Sequence, residues 1–354
     1  MFDFINVAFG WLMRQCYNLI ETMGFGGYAL ALFLFALVCQ IILFPFGIKQ
    51  QKNSQKQARL RPRENVIRKK YNGRTDRNSQ MKMNEEIQAL YAEEHYSPLS
   101  GCLPLLIQLP ILFSLFYVIR DPLTYISGLS DELILNIYNF LAENGIEAWT
   151  VAEKLPATVG EITLLNCLNS DTAGVATHFA NELAGHTIPN FMLGSIDLSL
   201  KPGVAFDNFK QYWSMLLIPV ATFLSAFFGQ KITRKFSYQP PNNPESASSM
   251  KLMNVMMPLF SAYLAYMWEA SMGLYWTFRS VLSCLQQMLL SVMFPLPKFT
   301  EEEMKAEEKA YMAKLRGKST SKPAPEATPK KSLIFDDDDD EGSAPTVQNS
   351  IIDD

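Results

Sequence analysis

Three polar side chains share one stripe of the last long apolar segment. Arg279, Ser283 and Gln286 stand at i, i+4 and i+7 within Gly-Leu-Tyr-Trp-Thr-Phe-Arg-Ser-Val-Leu-Ser-Cys-Leu-Gln-Gln, residues 273–287. That spacing puts them on one helix face. Arg279 is the single charge set well inside any long apolar segment of the chain. A charge at the centre of a bilayer costs roughly 2.5–3.5 kcal/mol on insertion scales, so it faces a wet or protein-lined interior. Two readings of the stripe stand side by side. In one, Gln and Ser side chains hydrogen-bond helices together and Arg279 snorkels outward, with Glu269 as its partner. In the other, the stripe lines a hydrated groove that receives polar groups from another molecule.

The remaining chemistry-bearing residues point away from catalysis. The five cysteines (Cys16, Cys39, Cys102, Cys167, Cys284) include no CxxC pair, and three of them lie in apolar segments. They read as small apolar residues and not as a disulfide framework. The three histidines (His95, His178, His186) have no metal-ligand spacing. No nucleophile motif or glycine-rich phosphate loop is present. A non-enzyme without cofactor, metal or small-molecule substrate is expected. Asp3 and the absence of a basic start argue against a cleavable signal, and Met13-Arg14-Gln15 before Cys16 is no lipoprotein anchor.

The elements that position these residues follow from hydropathy and charge. The chain has 354 residues, 48% hydrophobic, with a mean hydropathy of +0.02. That average conceals a division into nearly charge-free and highly polar stretches. Five spans are expected, at 27–47, 97–120 (apolar from Cys102), 211–230, 251–268 and 271–293, each long enough to cross a bilayer. The last two form a tight helical hairpin. Segment 48–96 carries a net charge of +6, segment 121–210 a net −8 and segment 231–251 a net +3. Basic loops near span ends stay cytoplasmic. The expected orientation is therefore N-terminus out and C-terminus in, with 48–96 and 231–250 cytoplasmic and 121–210 outside.

The flanking parts have their own patterns. Residues 1–26 read as an amphipathic helix on the outer membrane surface, with Asp3, Asn6, Arg14, Asn18 and Glu21 on one face. Residues 48–96 read as a helical hairpin turning at Asn72-Gly73. Its first arm is basic, with Lys49, Lys52, Lys56, Arg59, Arg61, Arg63, Arg68, Lys69 and Lys70. Its second arm, 80–94, puts Met83, Ile87 and Leu90 on one face. Neither arm has enough apolar surface for its own core, so the hairpin is expected to project and move. The plainer alternative is a solvated linker whose charge only fixes topology. Within 121–210 a small helical cap is expected, with Ser130 capping a helix that runs to Asn144-Gly145 and a second stretch near 172–185. The tail, 297–354, opens with a charged helical pattern, carries a net −5 and should be disordered.

Four stretches resemble the YidC-type membrane protein insertases, the bacterial relatives of the mitochondrial Oxa insertases. Leu60-Arg61-Pro62 with Lys69-Lys70-Tyr71 is similar to that family's cytoplasmic hairpin. Ser97-Pro-Leu-Ser-Gly-Cys-Leu-Pro-Leu-Leu-Ile-Gln-Leu-Pro-Ile111 resembles its entry into the second span and is the most specific of the four. Phe191-Met-Leu-Gly-Ser-Ile-Asp-Leu-Ser199 resembles the motif before the third span. Gly273-Leu-Tyr-Trp276 with Gln286-Gln287 resembles the last span. The resemblance covers every span in order and excludes most of 122–190 and the tail.

It implies an all-α, polytopic fold of five transmembrane helices with a cytoplasmic hairpin and an inner-leaflet groove. It further implies insertion and folding of membrane proteins, alone or beside the Sec translocon. Nascent membrane proteins would be the clients, with membrane lipid and the ribosome as further partners. Gln40, Gln108, Ser114, Arg279, Ser283 and Gln286 would line the groove, and Tyr275 and Trp276 would offer aromatic contact to client helices. The Met-rich fourth span suits adaptable packing.

The chain departs from the family pattern at instructive places. Gln40 stands where the family's groove arginine falls. Glu269 and Ser271 replace a proline and a glycine before the last span. Arg279 occupies a position that is usually small and polar. We expect Arg279 to replace part of the charge missing at Gln40. A small-solute transporter is the competing function, although no repeat relates the two halves. A structural subunit of a membrane complex is the third.

Overall fold

The computed structural model describes residues 3–24, 27–74, 76–97, 103–146, 161–237, 244–297 and 299–320. The described chain is almost wholly helical. α1 (Asp3–Thr22) leads into α2 (Tyr28–Lys70), a helix of 43 residues. At 1.5 Å per residue α2 is about 65 Å long. It runs without a break through the expected boundary between first span and first hairpin arm. Pro45 and Pro62 both lie inside it. Each removes one backbone donor, but the flanking turns are fixed by packing and the helix continues.

α3 (Arg77–Glu93) returns beside the lower half of α2. Asp76 caps it, its carboxylate accepting from Ser79 N at 2.8 Å. α4 (Leu103–Arg120) corresponds to the second expected span and ends in a π-turn at Leu123–Ser127. Most of the 97–111 signature lies outside the described residues or their described side chains.

The segment after α4 is a folded cap. α5 (Asp131–Glu143) begins at Ser130, whose Oγ accepts from Leu133 N, and stops at Asn144-Gly145 with Gly145 at φ +76°. α6 (Glu161–Asn169) follows. The stretch near 172–185 is broken into two short helices, α7 (Val175–His178) and α8 (Ala180–Leu183). Left-handed backbone at Asp171, Ala173 and Gly174 delays the helix to Val175, and Phe179, at φ −96° and ψ 20°, separates α7 from α8. A two-residue hairpin, β1 (Met192–Leu193) with β2 (Ile196–Asp197), pairs Met192 with Asp197 and Leu193 with Ile196.

The chain then enters its last helices. α9 (Phe209–Tyr212) and a 3-10 turn lead into α10 (Leu217–Phe236). α11 (Pro244–Met267) and α12 (Ala270–Met293) form the tight helical pair. α13 (Glu301–Thr320) comes last.

One large core joins α1, α2, α4, the cap and α12. Tyr28, Phe35, Leu115, Ile119, Ile137, Leu165, Phe191 and Tyr275 are all fully or nearly fully buried in it. The cap therefore shares one core with α1, α2, α4 and α12. α1 differs from the expected amphipathic pattern. Asn6 is buried and Arg14 turns inward, its Nε donating to the Ile126 carbonyl at 2.8 Å. Phe4, Val7, Trp11 and Leu19 are exposed. Part of the polar face is thus occupied by satisfying carbonyls of the π-turn.

The two hairpin arms meet in a small apolar core that α13 completes. Val66, Ile67, Tyr71, Met83, Ile87 and Leu90 are buried together with Tyr311 from α13. Two arms do not supply enough apolar area; the third helix completes it. The tail reading thus needs correcting for 301–320, and residues 321–354 lie outside the described part.

Candidate functional site: a polar seam between two long helices

α2 and α12 run side by side in the same direction, and their polar residues meet. Gln40 Nε2 donates to Gln286 Oε1 and lies 3.4 Å from Ser283 Oγ. Gly47, two turns further along α2, faces the same Gln286 side chain. A β-carbon at position 47 would overlap the Gln286 amide and come within 3.1 Å of Leu290. Lower still, Gln287 Nε2 donates to Gln51 Oε1 at 3.0 Å and reaches the Phe236 carbonyl at 3.3 Å. Gln51 Nε2 in turn donates to the Phe294 carbonyl at 3.0 Å, and Gln55 Nε2 to that of Pro295 at 2.8 Å. A ladder of carboxamides therefore joins the two helices.

Arg279 lies one turn above Ser283 on the same helix and is half-buried. Among the described residues it forms no ion pair. Glu269 does not serve as its partner, because ten residues of helix separate them by about 15 Å. Glu269 instead precedes α12, with one carboxylate oxygen buried and without a hydrogen-bond partner.

Other expected site residues have different surroundings. Ser114 is fully buried and donates to Asn6 Oδ1 at 2.6 Å, so it fastens α4 to α1 and lines no open groove. Tyr275 is 1% exposed, its ring 6.4 Å from that of Phe35 in the main core, so it presents no surface to a client. A phenol ring buried this deeply contributes packing area. Trp276 is half-buried and packs at a tilt against Trp268, which meets Phe116. Gln108 lies on α4, and its side chain is outside the described residues.

The basic arm divides into free and paired charges. Lys49, Lys52, Lys56, Arg59 and Arg61 are exposed. Lys49 lies over the Phe46 ring and Lys52 over that of Phe294. Arg63 pairs with Glu94, Arg68 with Glu64, Lys69 with Glu308 and Lys70 with Glu86. Glu64 is 1% exposed, and burial raises its carboxyl although Tyr91 OH donates to it.

Two positioning features escaped sequence reasoning. Thr222 on α10 donates to the Gly273 carbonyl at 3.0 Å, and a β-carbon at Gly273 would stand 2.6 Å from Ile218 and 3.0 Å from Ala265. Close helix approach at small residues is the usual device where lipid supplies no hydrophobic drive. The second feature fixes the start of α12. Its first donors, Ala270 N and Ser271 N, reach the carbonyls of Leu200 and Leu198 at 2.8 and 3.0 Å. The turn after β2 thus satisfies helix-end groups that would otherwise be orphaned. The Phe191–Ser199 motif gave a signal here, but its target was not legible. Among the described residues, Cys16, Cys39, Cys167 and Cys284 are free and buried, and no cluster of three ligating side chains could hold a metal.

The fold is that of an α-helical membrane protein with polar side chains between its apolar helices. α2 and the stretch Phe209–Phe236 are long and apolar enough to cross a bilayer. Large apolar side chains, including Leu217, Val220, Leu224 and Phe228, lie exposed along the second of these. The family model described as 60Kd inner membrane protein matches residues 20–296, and the chain belongs to that family.

Three relatives named "Membrane protein insertase YidC" illustrate the range. The Treponema denticola protein is 28% identical over 280 residues, which cover 79% of this chain and 36% of the relative. The Clostridium perfringens protein is 41% identical over 112 residues, or 31% of this chain and 44% of the relative. The Oceanobacillus iheyensis protein is 23% identical over 266 residues, three quarters of each chain. The matched part thus spans well under two thirds of the first two relatives.

Proposed function

We propose that this chain inserts and folds other proteins in the cytoplasmic membrane. The observation that carries the reading is the seam of Gln40, Ser283 and Gln286 below Arg279, set between apolar helices of a 60Kd inner membrane protein family member. The names of the relatives support it. In this reading α2, α4, α10, α11 and α12 supply five spans, with the N-terminus out and the C-terminus in. The hairpin of α2 and α3 is cytoplasmic, and residues 121–210 form an outer cap.

The mechanism needs no cofactor. The seam offers amides, a hydroxyl and a guanidinium to the polar part of an entering segment. That shortens the apolar distance the segment must cross. Side-chain hydrogen bonds between membrane helices average only about 0.6 kcal/mol. Carboxamides that satisfy each other can therefore exchange partners with a client at little cost. Gln108, on α4, is a further candidate contact for the client, and Trp276 offers its half-exposed ring. Nascent membrane proteins are the substrates, membrane lipid is the surrounding partner, and the Sec translocon and ribosome are candidate collaborators. The exposed lysines and arginines of α2 attract phosphate-bearing surfaces in a salt-dependent way.

The test is photo-crosslinking from positions 40, 108 and 279 during synthesis of a short membrane protein in a strain depleted of this chain. Crosslinks to the nascent client support insertion. Solute flux through the reconstituted protein without client crosslinks would replace this reading with a transporter.

A further inference from the structure

α13 lies on the hairpin through one face only. Glu308, Tyr311 and Lys314 are spaced by three, so they share that face. Glu308 pairs with Lys69 on α2 at 2.6 Å, and Lys314 with Glu93 on α3 at 3.0 Å. Between them Tyr311 is 8% exposed, buried with Val66, Ile67, Met83, Ile87 and Leu90, with the Arg63 guanidinium 5.8 Å from its ring. The acidic–aromatic–basic triplet matches a basic site, an apolar notch and an acidic site on the hairpin. This is the arrangement of a helix seated in a groove, with one anchor for affinity and flanking charges for register.

The seat is built for release. A single large side chain enters the core, and the flanking ion pairs are exposed enough for solvent and salt to weaken them: Lys69 is 67% and Lys314 50% exposed. Without α13 the hairpin has an open apolar notch along Val66, Ile67 and Ile87. Such a surface takes an amphipathic helix.

We propose that residues 301–320 are an internal strap that occupies a helix-docking face of the hairpin and competes there with an amphipathic helix of the client. The client half of this statement rests on the insertase reading. The strap half does not, because it concerns contacts within one chain. Docked, α13 restrains α3 and fills the notch. Released, it leaves the notch open on a hairpin that can move.

The experiment uses the full chain in lipid nanodiscs, as wild type, Tyr311→Ala and Tyr311→Phe. Amide hydrogen exchange is followed across α3, with α12 as the internal reference for an intact fold. Tyr311→Ala should speed exchange in α3 about tenfold, as expected when a packed local unit loses its anchor, while Tyr311→Phe keeps the wild-type rate. A photo-crosslinker at Lys70, which shares a 430 Å³ cleft with Lys305, Lys309 and Met312, reads the occupant. In wild type it should capture residues of α13. In Tyr311→Ala it should capture a nascent single-span membrane protein several-fold more often than in wild type. Unchanged α3 exchange in Tyr311→Ala would overturn the strap. Faster exchange without greater client capture would overturn the competition. Absence of client crosslinks at positions 40 and 279 as well would sink the insertase reading and leave the strap result standing.

Discussion

Gln40 on α2 donates a hydrogen bond to Gln286 on α12, across an interface with Ser283 beside it and Gly47 facing it. Residues 246 positions apart in sequence thus satisfy each other within an apolar environment. An unpaired amide in hydrocarbon would be costly. The pair gives both helices a fixed register and holds polar groups ready at the same place.

The close approach at Gly47 sets the first prediction. Gly47→Ala gains helix propensity but drives the Gln286 amide off its partner. The net expectation is a loss of about 1 kcal/mol, measured as lower thermal stability in detergent micelles. In a Gln286→Ala background the same substitution should be neutral or stabilising by roughly 0.5–1 kcal/mol, because only the glycine penalty is then removed. Equal destabilisation in both backgrounds would show that the amide is not the obstacle.

Arg279 is about 6 Å above Ser283 and 10 Å above Gln286 by helix rise. If it supplies the charge absent at Gln40, Arg279→Ala lowers client insertion about tenfold, equivalent to ~1.4 kcal/mol. Adding Gln40→Arg to that variant should restore most of the rate. Normal insertion by Arg279→Ala in a depleted strain would end the replacement idea.

Gly273 lets α12 lie against α10 and α11. A valine there meets Ile218 and Ala265 and prises the helices apart. Overpacking of this kind costs about 1–3 kcal/mol. Gly273→Val should lower the unfolding temperature and also weaken the Thr222–Gly273 bond, seen as faster exchange at the top of α10.

The cap that follows α4 should respond to pH. Burial, with the nearby Glu161 carboxylate, pushes the Asp121 carboxyl up to about 7, against the pull of Arg120. Burial also raises Glu161, opposed by its hydrogen bonds from Thr124. A raised carboxylate pKa means that the folded state binds protons more tightly than the unfolded one. Stability is therefore greatest below about pH 4 for this group and falls as pH rises from about 4 to 7. After correction for the intrinsic, base-catalysed exchange rate, residues 121–146 and 161–200 should show larger amide protection factors at pH 5 than at pH 8. Asp121→Asn should flatten that difference, and a slope of unchanged size would clear Asp121 of the effect.

Much of the architecture was legible from local pattern. The apolar stretches are helices, Ser130 and Asn144-Gly145 bound α5, and Met83, Ile87 and Leu90 are the buried face of α3. These follow from periodicity and capping, which act over a few residues. The site was legible only by type. Gln40, Ser283 and Gln286 do converge, but Ser114 turned to Asn6 and Tyr275 to Phe35. A serine or tyrosine in an apolar helix has the same sequence signature whether it faces a groove or another helix.

The sequence by itself determined the helices, their charge segregation and the polar stripe on α12, because hydropathy and helical period are properties of contiguous residues. Only the tertiary structure decided which partner each polar group found. It paired Gln40 with Gln286, left Arg279 without Glu269, tied the start of α12 to Leu198 and Leu200, and seated Tyr311 in the hairpin. Hydrogen bonds and burial depend on distances between remote segments, and those distances exist only once the helices have packed.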